Sequence, residues 1–174
     1  MKKLLCFSIK VFVVFLLLVG QYVVPAKAID RSFYNLTNGL EFKYNQDAVK
    51  YQYNGIDVQM NGNIGLLGES GTALAPLSYL FTDALRVDCE FCLKDSSVTL
   101  SDGSDSVKLL PGQKMAVVDG VNQKLSEAPV LLKNEQDEFL YYIPSRFVAS
   151  SLGFDYEWNK TLSTVFISKT YNIK

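Results

Sequence analysis

Cys89 and Cys92, spaced as C-x-x-C, are the residues whose type and spacing point most directly to chemistry. Such a pair can act as a redox couple, supply half of a zinc site or close a structural disulfide. Redox pairs usually sit at a helix N-terminus, where the dipole lowers the thiol pKa. The alternation around this pair places it instead on a strand and the turn that follows. Three steps along a strand separate the Cα atoms by about 10 Å, beyond the roughly 7 Å a disulfide spans, so a bridge requires an early turn. Zinc needs two further ligands, which must be carboxylates or come from a second molecule. The expected reading is a disulfide or thiol pair with a local structural role or none. An intermolecular bridge or metal, and redox catalysis, stand as alternatives.

The other chemistry-bearing residues have simpler readings. The SDGSDS loop (101–106) has two carboxylates but lacks EF-hand spacing and its closing glutamate, so it reads as a hairpin turn. Asp88 with Glu90, and Asp155 with Glu157, are i, i+2 pairs on a polar strand face. A glycosidase needs two carboxyls about 5 to 9 Å apart across a cleft, which one strand face does not build. Phe154, Tyr156 and Trp158 alternate with those acids, which suits packing beneath a helix or stacking on sugar rings. Arg146 is a candidate for binding a carboxylate. Tyr141 and Tyr142 are candidate surface-binding residues, because one of two neighbours in a strand is expected to face outward.

The sequence of 174 residues contains no histidine. That removes Ser-His-Asp and Cys-His catalysis, imidazole zinc sites and histidine proton transfer. With 17 basic and 18 acidic residues, there is no basic field for nucleic acid. Lys2 and Lys3, the apolar run 11–19 and the A-x-A at Ala26 and Ala28 read as a secretory signal peptide, residues 1–28. The run is shorter than the about 20 residues of a membrane span, so cleavage is expected over retention as an anchor. Cys6 leaves with the signal. Removing four lysines and no acids leaves (17 − 4) − 18 = −5, a mildly acidic exported chain with no membrane span.

The elements that must position these residues are expected to come in two similar sets. LRVDCEFCLKDSSVTL (85–100) aligns without a gap with LGFDYEWNKTLSTVFI (152–167). Ahead of each lies a proline, Pro76 or Pro144, and a short apolar-periodic stretch, with one residue of slip between the two. Further upstream, Asn54-Gly55 and Asp119-Gly120 are type I′ turn dipeptides flanked by alternating apolar residues. The prolines suit a first helical turn, and Gly153 suits the residue after a helix, where the first copy has Arg86. Helices of about ten residues are marginal alone and must be held by a sheet. The expected fold is α+β: two repeated units of antiparallel β-hairpins, each with one short proline-led helix packed on the sheet. The boundaries are 29–48 for an N-terminal extension, 49–113 for the first unit and 114–168 for the second. The two units together are expected to make one compact body.

The Asn-Gly or Asp-Gly hairpin, the proline-led helix and the segment IPSRFVASSLGFDYEWN (143–159) resemble the copper amine oxidase N-terminal domain, or stalk domain. The likeness covers residues 49–168 apart from local departures. The first copy diverges at Ser78, where the family usually has arginine, at Arg86 and at Cys92. In copper amine oxidases the metal lies in a separate catalytic domain on three histidines. The resemblance therefore implies a non-catalytic extracellular module without cofactor or metal. The expected function is a secreted binding or structural module at the bacterial cell surface or cell wall. Its expected partner is a cell-wall polymer or another surface protein. The alternatives are an exported thiol redox protein or sensor using Cys89 and Cys92, and an accessory or inhibitor of an exported hydrolase.

Overall fold

The computed structural model describes residues 29–36, 40–46 and 48–170. Residues 1–28, read above as a signal peptide, lie with Cys6 outside the described residues. The described strands are, in chain order, β1 (Ile29–Asn35), β2 (Leu40–Gln46), β3 (Lys50–Tyr53), β4 (Ile56–Asp57), β5 (Leu66–Leu67) and β6 (Ala73–Pro76). Helix α1 (Ser78–Ala84) is followed by β7 (Asp88–Cys92), β8 (Ser97–Asp102), β9 (Asp105–Leu109), β10 (Met115–Val118) and β11 (Val121–Lys124). Then come β12 (Val130–Lys133), β13 (Phe139–Pro144), helix α2 (Ser145–Ser151), β14 (Asp155–Asn159) and β15 (Thr164–Ser168). No helix of the described residues is long and apolar enough to cross a membrane.

This architecture overturns the expected α+β fold of two hairpin-plus-helix units. The described residues are mostly β, with three sheets and two helices of seven residues each. The units do not keep their strands. Hairpin β7–β8 continues through β9 into β10–β11, giving the order β11-β10-β9-β8-β7. Hairpin β14–β15 instead joins β3–β4, through a parallel pairing of β15 with β3. The two strands that lead into the prolines pair with each other, β6 against β13, inside a six-stranded sheet of order β2-β1-β12-β13-β6-β5. The physical reason is coverage. A seven-residue helix hides little apolar area, so each hairpin must find its cover on another sheet. The segment ahead of β3 contributes a two-stranded ribbon, β1–β2, at the edge beside β12.

Local pairing nevertheless follows the sequence correspondence. Asp88↔Ser101 through Cys92↔Ser97 in β7–β8 is matched residue for residue by Asp155↔Ser168 through Asn159↔Thr164 in β14–β15. Asn54-Gly55 and Asp119-Gly120 have positive φ at both residues, as a type I′ turn demands. The one-residue slip is absorbed by helix winding. In α1 the N–H of Leu85 donates to the carbonyl of Leu80, a π-type i→i−5 bond. In α2 the N–H of Leu152 donates to Val148, the ordinary i→i−4 bond. The extra residue of the first copy thus sits inside the helix as a wider turn.

The helix ends differ too. Gly153 closes α2 at φ +76°, and Arg86 follows α1 at φ +61°. A side chain in the left-handed region costs about 1–2 kcal/mol, more than the entropy a glycine gives up. Arg86 is exposed, so Arg86→Gly is expected to raise stability by about 0.5–1 kcal/mol. The check is a higher urea midpoint at unchanged slope.

The main core gathers Leu80, Phe81, Leu100, Val107, Leu109, Ile143, Val148, Ala149, Leu152 and Val165, all fully buried. A second cluster of Ile64, Leu66, Leu74, Leu132, Leu140 and Tyr142 lies on the other side of the six-stranded sheet. One half-buried polar knot ties the two regions. The Glu138 carboxylate accepts the Tyr79 hydroxyl at 2.7 Å and the side-chain amides of Asn63 at 3.1 Å and Asn134 at 3.0 Å. These bonds, Tyr79 first, hold the Glu138 carboxyl below its ordinary 4.5. A depressed carboxylate pKa contributes stability above the unfolded value, and that stability is lost as pH falls through the folded one. The stability gap between the wild type and Glu138→Gln is therefore expected to be widest above pH 4.5 and to close on further acidification. Denaturant midpoints of both proteins across that range provide the check.

Candidate binding groove

A groove of about 750 Å³ opens where the β11 and β14 edges of two sheets meet over α2. Helix α2 supplies Arg146, Phe147, Ser150 and Ser151, and β14 supplies Tyr156 and Trp158. The lining is completed by Gln123 and Lys124 of β11, then Ser126, with Thr72 and the first residue of β6, Ala73. Its lining has two cations, three aromatic rings and several hydroxyls, but no carboxylate and no thiol.

Strand alternation explains the aromatic wall. Asp155 and Glu157 point to solvent, Phe154 is buried, and Tyr156 and Trp158 are half-buried toward α2. The Arg146 guanidinium lies over the Tyr156 ring, 5.2 Å from its centroid, a cation–π contact. Beneath the ring, the Tyr156 hydroxyl meets the Oγ of Ser145 at 2.8 Å. Ser145 is fully buried; it donates to the Ala73 carbonyl at 2.9 Å and meets the Tyr51 hydroxyl at 3.0 Å. Burial pushes the Tyr156 phenol up, while Ser145 and then Arg146 pull it back. The facing rim is pinned by the Thr72–Ser126 hydroxyl pair at 2.9 Å and by the Ser70 N–H donating to Glu127 at 3.0 Å. The groove is thus preorganised through its floor and its rim.

Of the residues singled out in the sequence, Arg146 lies in this groove, exposed, beside Trp158. The tyrosine expectation is corrected. Tyr141 and Tyr142 are both buried, at 9% and 0% exposure, so neither offers a surface. Strand β13 is interior to its sheet, and its two faces feed different cores, Tyr141 with Ile143 and Tyr142 with Leu140. Tyr142 donates its hydroxyl to the Ile64 carbonyl at 2.8 Å. The Tyr141 hydroxyl is buried without a partner, and burial, with the Asp95 charge behind it, pushes its phenol up strongly. An unpaired buried hydroxyl is costly, so Tyr141→Phe is expected to stabilise the protein by about 1 kcal/mol. A rise in the urea midpoint checks this.

The cysteines lie apart from the groove. Cys89 and Cys92 are free thiols on β7, the exposed edge strand of the five-stranded sheet. The sulfur of Cys89 is partly covered, and that desolvation pushes its thiol up, away from the thiolate that redox chemistry uses. Ser97, whose backbone N–H donates to Asp95 at 3.0 Å, holds that carboxyl down to about 2, and Cys92 contributes to the same carboxylate. Sequence reasoning missed Lys124, Thr72 and Ser126. The available signal was weak: Lys124 ends an all-polar strand after a type I′ turn, and only the tertiary fold brings it opposite α2.

A family model for the copper amine oxidase N-terminal domain matches residues 52–167. No curated protein and no solved structure gave a significant match to the chain. The matched domain is a non-catalytic one, and no amine oxidase catalytic domain is present in the 174 residues. The residues do not fit the copper of the family's name either. The sequence has no histidine, and no cluster of three or more Cys, Asp or Glu among the described residues could hold an ion. The sheets that build the groove fall almost entirely within the matched segment, and on that ground this chain belongs to the copper amine oxidase N-terminal domain family.

Proposed function

We propose that this protein is an exported, non-catalytic binding module that attaches to a cell-wall polymer of the bacterial surface. The observation that carries the reading is the groove itself: preorganised cations, rings and hydroxyls, with no carboxylate or thiol to act as acid, base or nucleophile. Such a lining is suited to holding a ligand. The signal-like segment 1–28 supports export. The test is a pull-down of tagged protein, residues 29–174, on purified cell walls, with and without soluble wall fragments. Retention that the fragments compete away is expected; protein that passes through unbound overturns the reading. Export is tested by mass spectrometry of the full chain expressed in a bacterium, with a new N-terminus at Ile29 expected in the medium.

A further inference from the structure

We infer that the groove takes an anionic saccharide: a sugar ring against Trp158, with the ring's carboxylate or phosphate substituent held between Arg146 and Lys124. The inference deepens the proposed wall-binding reading and rests on it for the biological source of the ligand. Three observations support this ligand class. The first is charge. The chain carries a formal −1, yet the groove lining has two cations, Arg146 of α2 and Lys124 of β11, and no acid; Glu127 at the rim accepts the Ser70 N–H. An oxyanion is the complementary ligand, and Arg146 presents the guanidinium fork suited to it.

The second is shape and surface. Trp158 and Phe147 pack one side against the main core and, being half-buried, leave part of their surface open in the groove. Hydroxyls of Thr72, Ser126 and Ser150 stand around them, which suits the ring hydroxyls of a sugar.

The third is an internal comparison. A smaller recess of about 280 Å³ is lined by Val58, Gln59, Tyr79 and Asp83. These are the residues that align with Gln123, Lys124, Phe147 and Ser151. That recess carries Asp57 and Asp83 and no cation, and no residue of β7 lines it. The position of Arg146 corresponds to Ser78, and that of Trp158 to Phe91. The fold alone therefore does not demand cations and a tryptophan at this place. They stand in one of the two aligned segments, where the other has Gln59, Ser78 and Phe91.

Trp158 is the sole tryptophan, so intrinsic fluorescence reports on the groove directly. Three probes are titrated: an N-acetylhexosamine oligosaccharide bearing lactyl-ether carboxylates, a hexose-phosphate oligomer, and a neutral N-acetylglucosamine oligomer of equal length. Saturable fluorescence change is expected with a charged probe and about tenfold weaker binding with the neutral one. Which charged probe binds identifies the source of the oxyanion. Arg146→Gln and Lys124→Gln are each expected to weaken binding by about tenfold, and Lys94→Gln, in an exposed turn outside the groove, to leave it unchanged. Unaltered thermal unfolding shows that each variant is folded. Equal binding of the neutral oligomer, no binding of either charged probe, or full affinity in both groove variants overturns the inference. Walls retained equally by wild type and groove variants would sink the inference and leave wall binding standing. A charged probe bound by a protein that ignores walls would do the reverse.

Discussion

Replacing Ser145 by alanine is expected to destabilise the protein by about 3 kcal/mol, a large effect for the loss of one oxygen. Ser145 is fully buried at the start of α2, and its partners join the six-stranded sheet to the four-stranded one. Its hydroxyl donates to the Ala73 carbonyl of β6 and accepts from Tyr51 of β3 and Tyr156 of β14. One donor and two lone pairs are thereby all engaged. Alanine removes a partner from three polar groups at once. The expected readout is a lower urea midpoint together with a changed environment of Trp158, since Tyr156 loses the bond that fixes the groove floor. A loss below about 1 kcal/mol would mean the hydroxyl is an incidental neighbour rather than the junction of the sheets.

Gly65→Ala is expected to cost about 2–3 kcal/mol, for a steric reason. Gly65 forms an isolated antiparallel bridge with Val49, each residue donating its N–H to the other's carbonyl. A methyl group at this position would lie 2.6 Å from the Val49 carbonyl oxygen and 2.6 Å from a ring carbon of Tyr51. Backbone cannot step aside cheaply, and Tyr51 is itself fully buried. The bridge must open or the ring must move, and the ring is part of the Ser145 network. Gly71→Ala offers a contrast, because that glycine needs its φ of +75° but has open space around it. Its cost is expected to stay near 1 kcal/mol, from backbone strain alone. Midpoints of the two variants in urea separate packing from conformation.

Much of the local structure was legible because its causes are local. Asn54-Gly55 and Asp119-Gly120 could be read as type I′ turns, since positive φ at two successive residues is a property of the dipeptide. The alternation from Phe154 to Trp158 correctly placed aromatics on one strand face and acids on the other. The one-residue slip near the first proline was visible as a slip, but its resolution as a π-type turn was not, because it depends on Leu80, Phe81 and Leu85 all reaching one core. The tyrosine pair failed for a related reason. Alternation assumes one wet face, and β13 has none, since each of its faces meets a different cluster. Of the groove, Arg146 and Trp158 stood out by type, while Lys124 did not, because its significance is that it faces them.

The amino-acid order alone determined the turns, the hairpin registers, the helix positions after Pro76 and Pro144 and the lack of imidazole chemistry, all decided within a few bonds or by composition. The tertiary structure alone decided which hairpin pairs with which, replacing two separate hairpin-and-helix units with three shared sheets. It also decided that β11 and β14 meet at a cationic, ring-lined groove. Strand partners and opposing walls are chosen by burial across long sequence separations, and no short-range pattern encodes that choice.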